Sequence, residues 1–320
     1  MRRFAWFGPR HAVSTADRLP VRKVWPQGYC AVVALISDTS RGDWLRRRAG
    51  EWATAGGVAG TGFEAYARIL HPLPARWEDL DTPDGWAGHP VVEVRAWTWA
   101  ELAIRNGRHV HPLVQWVNLS GQEPPQGVEL DDGRTVGPPE EGQLDGSVLA
   151  ALTEHLRPAT TTPDDLIAAV WNGWGELNGG SGSATFFVGE PSEEQVRQLQ
   201  EQAQRRRLLE SSIANALSGP TFEWPGREFH LLSASLSLFA KSDWLDTASV
   251  DAWPAAGHSP QMLWPTDRSW VLATEIDWDF TIVAGRRDLI DGVLDDSRFE
   301  AFAIAENDDL TWSGDAVNRP

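Results

Sequence analysis

Apolar and polar positions change period repeatedly along the chain, and each change predicts an element. The run Tyr29 to Ser37 (YCAVVALIS) is continuously apolar and β-branched, as a buried strand requires. Asp43 to Ala55 reads as a helix, and the glycines at 56, 57, 60 and 62 break it. Phe63 to Leu70 suits strand or helix and ends before Pro72 and Pro74, and Val91 to Ala96 predicts a second strand. Thr98 followed by Glu101 has capping-box spacing, so a helix is expected to about Arg105, stopping at Asn106 and Gly107.

Gly121 to Gly146, rich in Gly, Pro and acidic residues, predicts a long surface loop and a candidate boundary. After it, Val148, Leu149, Leu152 and Leu156 recur at helical spacing. Thr162, Pro163, Asp164 and Asp165 resemble a second helix start, which assigns Leu166, Ile167, Val170 and Trp171 to a helix ended by Gly173 and Gly175. Leu177 to Ala184 has linker composition. The longest helix is expected from Glu193 to Leu217, capped by Ser192, its narrow apolar stripe docking on the body of the protein. Glu228 to Phe239 alternates as a strand. A strand or hairpin through Val283, a helix over Arg286 to Leu294 and a strand over Phe299 to Ala305 follow.

Strands and helices without regular alternation indicate an α+β fold with mixed or antiparallel sheets and packed helices. Two regions are expected, 1–146 as an N-terminal α/β region and 147–320 as a C-terminal α+β region with the 193–217 helix inserted, or one continuous domain.

Composition narrows the class. With 320 residues, 42% of them hydrophobic, the chain can bury a sizeable core. A single cysteine excludes a disulfide framework, and no apolar run reaches the length of a membrane span. Gly8, Pro9 and Arg10 interrupt the basic N-terminus before an apolar signal core forms, so a cytoplasmic location is the expectation. The net charge of −17 is uneven: residues 1–50 carry ten Lys/Arg against three Asp/Glu, and residues 243–320 carry five against sixteen. Only the N-terminal part, densest at Arg46, Arg47 and Arg48, offers a basic face, and it reads as a solvated face or an arm against the acidic half. No nucleic-acid partner is therefore expected. The acidic half suits a basic protein.

The densest candidate chemistry is Ser259 to Asp279 (SPQMLWPTDRSWVLATEIDWD), where Trp264, Trp270 and Trp278 sit among Asp267, Arg268, Glu275, Asp277 and Asp279. On a continuous strand, period two sets Glu275, Asp277 and Asp279 on one face. Such a row repels itself and becomes favourable when a cation sits on it, whether a metal ion, Arg268 or a partner's Lys and Arg. A hairpin turn over Asp277 to Asp279 is the structural alternative. Asp267 and Arg268 are expected to pair locally beside Trp264. Trp264 and Trp270 read as core and Trp278 as the exposed ring.

Elsewhere the signals are incomplete. His71, His109 and His111 do not complete a metal-ligand set, and His71, His89 and His111 each precede a proline that turns the chain. Cys30 reads as a buried thiol. The GGSGS at 179–183 lacks the lysine of a phosphate-binding loop. No catalytic residue, metal or cofactor is assigned.

The pieces GFEAYARILHP (62–72), WAELAIRNGRHVHP (99–112), TTPDDLIAAVWNGWG (161–175) and SPQMLWPTDRSWVLATEID (259–277) together resemble an uncharacterised actinobacterial protein family. That resemblance brings no activity or cofactor. More distantly, a helix ending in WNGWG, a strand such as EFHLLSASL and an acidic C-terminal sheet are similar to SUKH-type immunity proteins, from which the 193–217 helix departs as an insertion. The expected function is a non-catalytic intracellular binding protein, immunity-like or regulatory, with Glu275, Asp277, Trp278, Asp279, Asp267 and Arg268 facing a basic partner. The alternative is a metal-dependent hydrolase using Glu275, Asp277 and Asp279.

Overall fold

The computed structural model describes residues 33–79, 91–121, 127–178, 192–247, 253, 255 and 257–319. Cys30, His89, the GGSGS stretch and the first residues of the 29–37 run lie outside the described residues. The rest of that run flanks the large sheet, where Leu35 bridges Leu232 and Ile36 N–H donates to the Leu231 carbonyl at 2.7 Å.

The chain is an α+β fold built on antiparallel sheets. Its strands are β1 (Ala65–Leu70), β2 (Leu73–Glu78), β3 (Val91–Trp97), β4 (Val128–Glu129), β5 (Arg134–Val136) and β6 (Leu166–Trp171). They continue as β7 (Phe222–Trp224), β8 (Arg227–Ala234), β9 (Met262–Pro265), β10 (Val271–Ala273), β11 (Phe280–Gly285) and β12 (Ala301–Ile304). The large sheet has the order β12-β1-β11-β10-β9-β6-β8-β7, and the small one β3-β2-β5-β4. β1 lies between β11 and β12, so segments from both sides of residue 146 are hydrogen-bonded into one sheet.

Alternation along the central strands explains how a core forms on each face of that sheet. On β6, Ile167 and Ala169 face one core while Leu166, Ala168 and Val170 face the other. The first core is closed by the small sheet and by helices α1 (Asp43–Arg46), α2 (Ala55–Ala59), α3 (Trp99–Asn106) and α4 (Trp116–Ser120). The second is closed by α5 (Gly146–Leu156), the end of α6 (Glu193–Ala216), α7 (Leu236–Phe239), α8 (Trp244–Thr247) and α9 (Arg287–Leu294). Trp264 and Trp270 are fully buried, one in each core.

Local signals were decisive where they did not compete. α3 carries the full capping box at Thr98 and Glu101, and Gly107 ends it in the left-handed region at φ 62°. α6 is capped by Ser192 as expected, and Gln195 completes a capping box there.

Four expectations are corrected. The segment from 162 to 171 is not a helix: LIAAVW is buried on both faces as β6, and such a strand shows no polar alternation to distinguish it from a buried helix. The helix expected over Asp43 to Ala55 stops at Arg46, and the chain then folds back on itself, Gly50 N–H donating to the Gly56 carbonyl at 3.1 Å and Gly57 lying so close to the Glu51 carbonyl that a Cβ there would be 2.0 Å from its oxygen. The 121–146 segment is not all loop, since β5 is zipped between β2 and β4 and buries Val136. The stripe of α6 is buried only near its C-terminal end, at Ile213 and Leu217, while its members Val196 and Leu209 are exposed.

Trp270 ties the large sheet to α5, its indole N–H donating to the Leu156 carbonyl at 3.1 Å inside the second core. Trp270→Ala should therefore cost about 3–5 kcal/mol of stability in urea denaturation, as cavity-forming aromatic truncations do. Trp52→Ala, at a ring 79% exposed, should stay within ~0.5 kcal/mol.

Candidate functional site

The acidic segment is a turn. Between β10 and β11 the Glu275 carbonyl accepts from Trp278 N–H at 3.2 Å, and the Glu275 carboxylate accepts from Asp277 N–H at 2.7 Å. The buried hydroxyls of Thr274 and Thr281 bond across its base at 2.7 Å. Two neighbouring segments hold the turn from outside: Gly142 N–H donates to the Trp278 carbonyl, and His71 N–H to the Asp279 carbonyl, both at 3.0 Å. Period two does not apply to such a backbone, so Glu275, Asp277 and Asp279 do not share one strand face.

Glu275 and Asp277 are held by one cation. Arg227, at the tip of the β7–β8 hairpin, places Nε and Nη2 3.2 Å from Glu275 Oε1 and also pairs with Asp277. Its guanidinium lies over the Trp171 ring at 5.7 Å. Asp279 has a different environment. Burial pushes its carboxyl up to about 6 against the opposing pull of Arg68. Arg68 is fully buried on β1, its guanidinium carbon 4.0 Å from the Phe280 ring centre and its Nη1 donating to the Pro112 carbonyl at 2.9 Å.

The turn stands between two clefts and shares Trp278 with both. One, of about 210 Å³, is of mixed character, with Trp52, Trp224, Phe229 and Met262 among its walls beside Arg227, Gln261, Thr274 and Glu275. The other, of about 110 Å³, is acidic: Glu141, Asp277 and Asp279 line it with Trp116, Trp278, Phe280 and Trp312. Trp312 is 68% exposed, whereas Trp116 is buried. Glu141 sits at the exposed rim, where partial enclosure of its carboxyl and the charges of Asp279, Asp277 and Glu275 push it up to about 7. Among the described residues neither Glu141 nor Asp279 is in an ion pair.

No family model, curated protein or solved structure matches the chain.

Asp267 and Arg268 lie elsewhere, in the turn between β9 and β10 and hence at the opposite end of β10 from the acidic turn. They do not form the expected ion pair. Asp267 accepts from Ser269 Oγ at 2.7 Å, Thr161 N–H at 2.6 Å, and the Thr161 and Thr160 hydroxyls at 2.8 Å. Burial opposes its ionisation, but those bonds outweigh it and hold the carboxyl well below the usual range. Arg268 adopts φ 62° and stacks its guanidinium 5.5 Å from the Trp44 ring. Both residues stabilise a turn.

His71 and His111 are engaged in the scaffold. His71 is buried between the Glu140 carbonyl at 2.7 Å and the Thr281 hydroxyl at 2.9 Å, and His111 meets Asp315 at 2.7 Å. Among the described residues no group of three His, Cys, Asp or Glu side chains has the geometry to hold a metal ion. No helix among them is long and apolar enough to cross a membrane.

Glu141, Arg227 and Trp312 were not singled out from the sequence. Glu141 had one signal, the PPEEG stretch at 138–142, in which two prolines stiffen the chain before a glycine. Gly142 adopts φ 69°, and a Cβ there would lie 2.5 Å from the Ile276 carbonyl oxygen. Only glycine lets the segment approach the turn this closely, and that approach brings Glu141 to Asp279.

The raised carboxyls set a pH dependence. They hold protons to higher pH in the folded chain than in the unfolded one, so their contribution to stability is present below the ordinary carboxylate range and lost as pH rises through about 6 and then about 7. His71 works in the opposite sense: its burial lowers it to about 4, so stability grows as pH rises from there to the ordinary imidazole value. Glu141→Gln combined with Asp279→Asn isolates the carboxyls. Between about pH 5 and about pH 8 the wild type should lose stability relative to this variant in urea midpoints, and parallel profiles would contradict the assignment.

Proposed function

We propose that the chain is a non-catalytic binding protein whose acidic cleft captures a cationic side chain of a basic protein partner. The observation that carries this reading is the pair Glu141 and Asp279 lining one cleft with Trp116, Trp278 and Trp312, where enclosure raises both carboxyls and the charge of Asp279 raises Glu141 further. Like-charged carboxyls in a confined space are costly until a cation arrives, and the aromatic faces beside them attract the same cation.

Size separates the candidate occupants. The cleft of about 110 Å³ is well under the ~300 Å³ of a typical small-molecule site, and it suits the end of an arginine or lysine side chain. The exposed Trp312 at its edge supplies an aromatic anchor. The hydrolase alternative required three converging carboxylates. Here Glu275 and Asp277 are held by Arg227, which leaves Asp279 with Glu141.

Calorimetry with a synthetic Arg-rich peptide, run near neutral pH in two buffers of different ionisation enthalpy, tests the reading. Binding should release protons, because a cation restores ordinary acidity to both carboxyls, and should weaken with salt. Glu141→Gln plus Asp279→Asn should weaken it at least about tenfold, the loss expected when charge-assisted contacts are removed. Equal binding by the variant would overturn the proposal, as would proton release by calcium chloride but not by the peptide.

A further inference from the structure

Away from the acidic cleft, the small sheet has an apolar edge to which no strand is paired among the described residues. β3 is terminal in the order β3-β2-β5-β4, and its valines point into solvent: Val92 is 54% exposed and Val94 67%. An exposed, apolar edge strand is a template for another strand unless its side chains oppose pairing. Here they favour one partner.

The backbone shows which groups are available. Pro74 has no N–H, and its carbonyl accepts from Gly137 N–H at 2.8 Å, so its backbone faces β5. Pro74 lies opposite Ala96, and Arg76 lies opposite Val94. In an antiparallel ladder these are therefore the pairs that exchange no bonds, and the N–H and C=O of Val94 and Ala96 point away from β2.

We propose that a second copy of this chain pairs antiparallel with β3, the two-fold axis passing through Val94. Val94 of each copy then exchanges both backbone bonds with its counterpart. The same axis sets Glu93 opposite Arg95 of the second copy, and Arg95 opposite Glu93 of the second copy, at the positions where side chains approach most closely. Val92 falls opposite Ala96, so the other face of the joined sheets is apolar on apolar. Glu93 makes no ion pair among the described residues, and Arg95 already pairs with Glu101 at 2.6 Å, which orients it on the required face. The β2–β3 ladder shifts register near Glu78 and Val91. The regular stretch is thus short, and the dimer should be weak, with Kd on the order of micromolar or above. This surface does not depend on the proposal for the cleft.

Sedimentation velocity of the full chain from about 1 to about 200 μM should show a concentration-dependent dimer. Glu93→Arg alone and Arg95→Glu alone each set like charges opposite one another and should shift the midpoint upward at least about fivefold, while the double exchange restores it. Val94→Pro, which removes the outward N–H, should give monomer with an unchanged thermal midpoint. A wild type that is monomeric throughout overturns the proposal. So does a dimer that survives both Val94→Pro and Glu93→Arg.

Discussion

The burial of Arg68 is the constraint around which the acidic cleft is built. A guanidinium in the interior is tolerated only when charge and hydrogen bonds compensate it. Here burial lowers Arg68 to about 10, which leaves it protonated, while Asp279 and Asp315 oppose that fall. The Pro112 carbonyl serves Nη1 and the Phe280 ring its face, while the buried Nε and Nη2 have no hydrogen-bond partner among the described residues. Meeting these demands draws three distant segments to one place. Asp315 in turn accepts from Gln115 N–H at 3.1 Å and Asn318 N–H at 3.0 Å, and it meets His111. Trp116, Trp278 and Trp312 belong to those segments, so the cleft walls follow from the compensation of one charge.

That arrangement leaves the carboxyls unequally served. Asp315 has its hydrogen bonds and stays below the usual range although burial opposes it. Asp279 feels Arg68 but forms no direct ion pair with it, and Glu141 is raised by burial and by the neighbouring carboxylates. A neutral residue at position 141 would relieve that repulsion, whereas Asp279 also offsets the burial of Arg68. Sites that are locally unfavourable and supported by the surrounding structure are where binding energy becomes available.

The sequence showed those elements whose signals are local. The Thr98–Glu101 capping box, the Ser192 cap and the apolar face of α9 each predict their element because every residue involved lies within a few positions. β6 was misread because cap-like residues precede a run buried on both faces, where the alternation that distinguishes a strand is absent. The candidate site was half legible. Trp278 and Asp279 were visible as a cluster of charge beside aromatic rings, but whether three carboxylates converge depends on a turn fixed by Gly142 and His71. Glu141 and Arg227 reach that turn through tertiary packing, for which spacing carries no signal.

The most direct test of the central claim is a carbon-detected NMR titration of the Asp279 and Glu141 carboxyls in the full chain, free and with an Arg-rich peptide. Midpoints of about 6 and about 7 are expected in the free protein, both moving down toward the ordinary carboxylate range when the peptide is bound. Ordinary midpoints in the free protein, or raised ones that the peptide does not move, would contradict it.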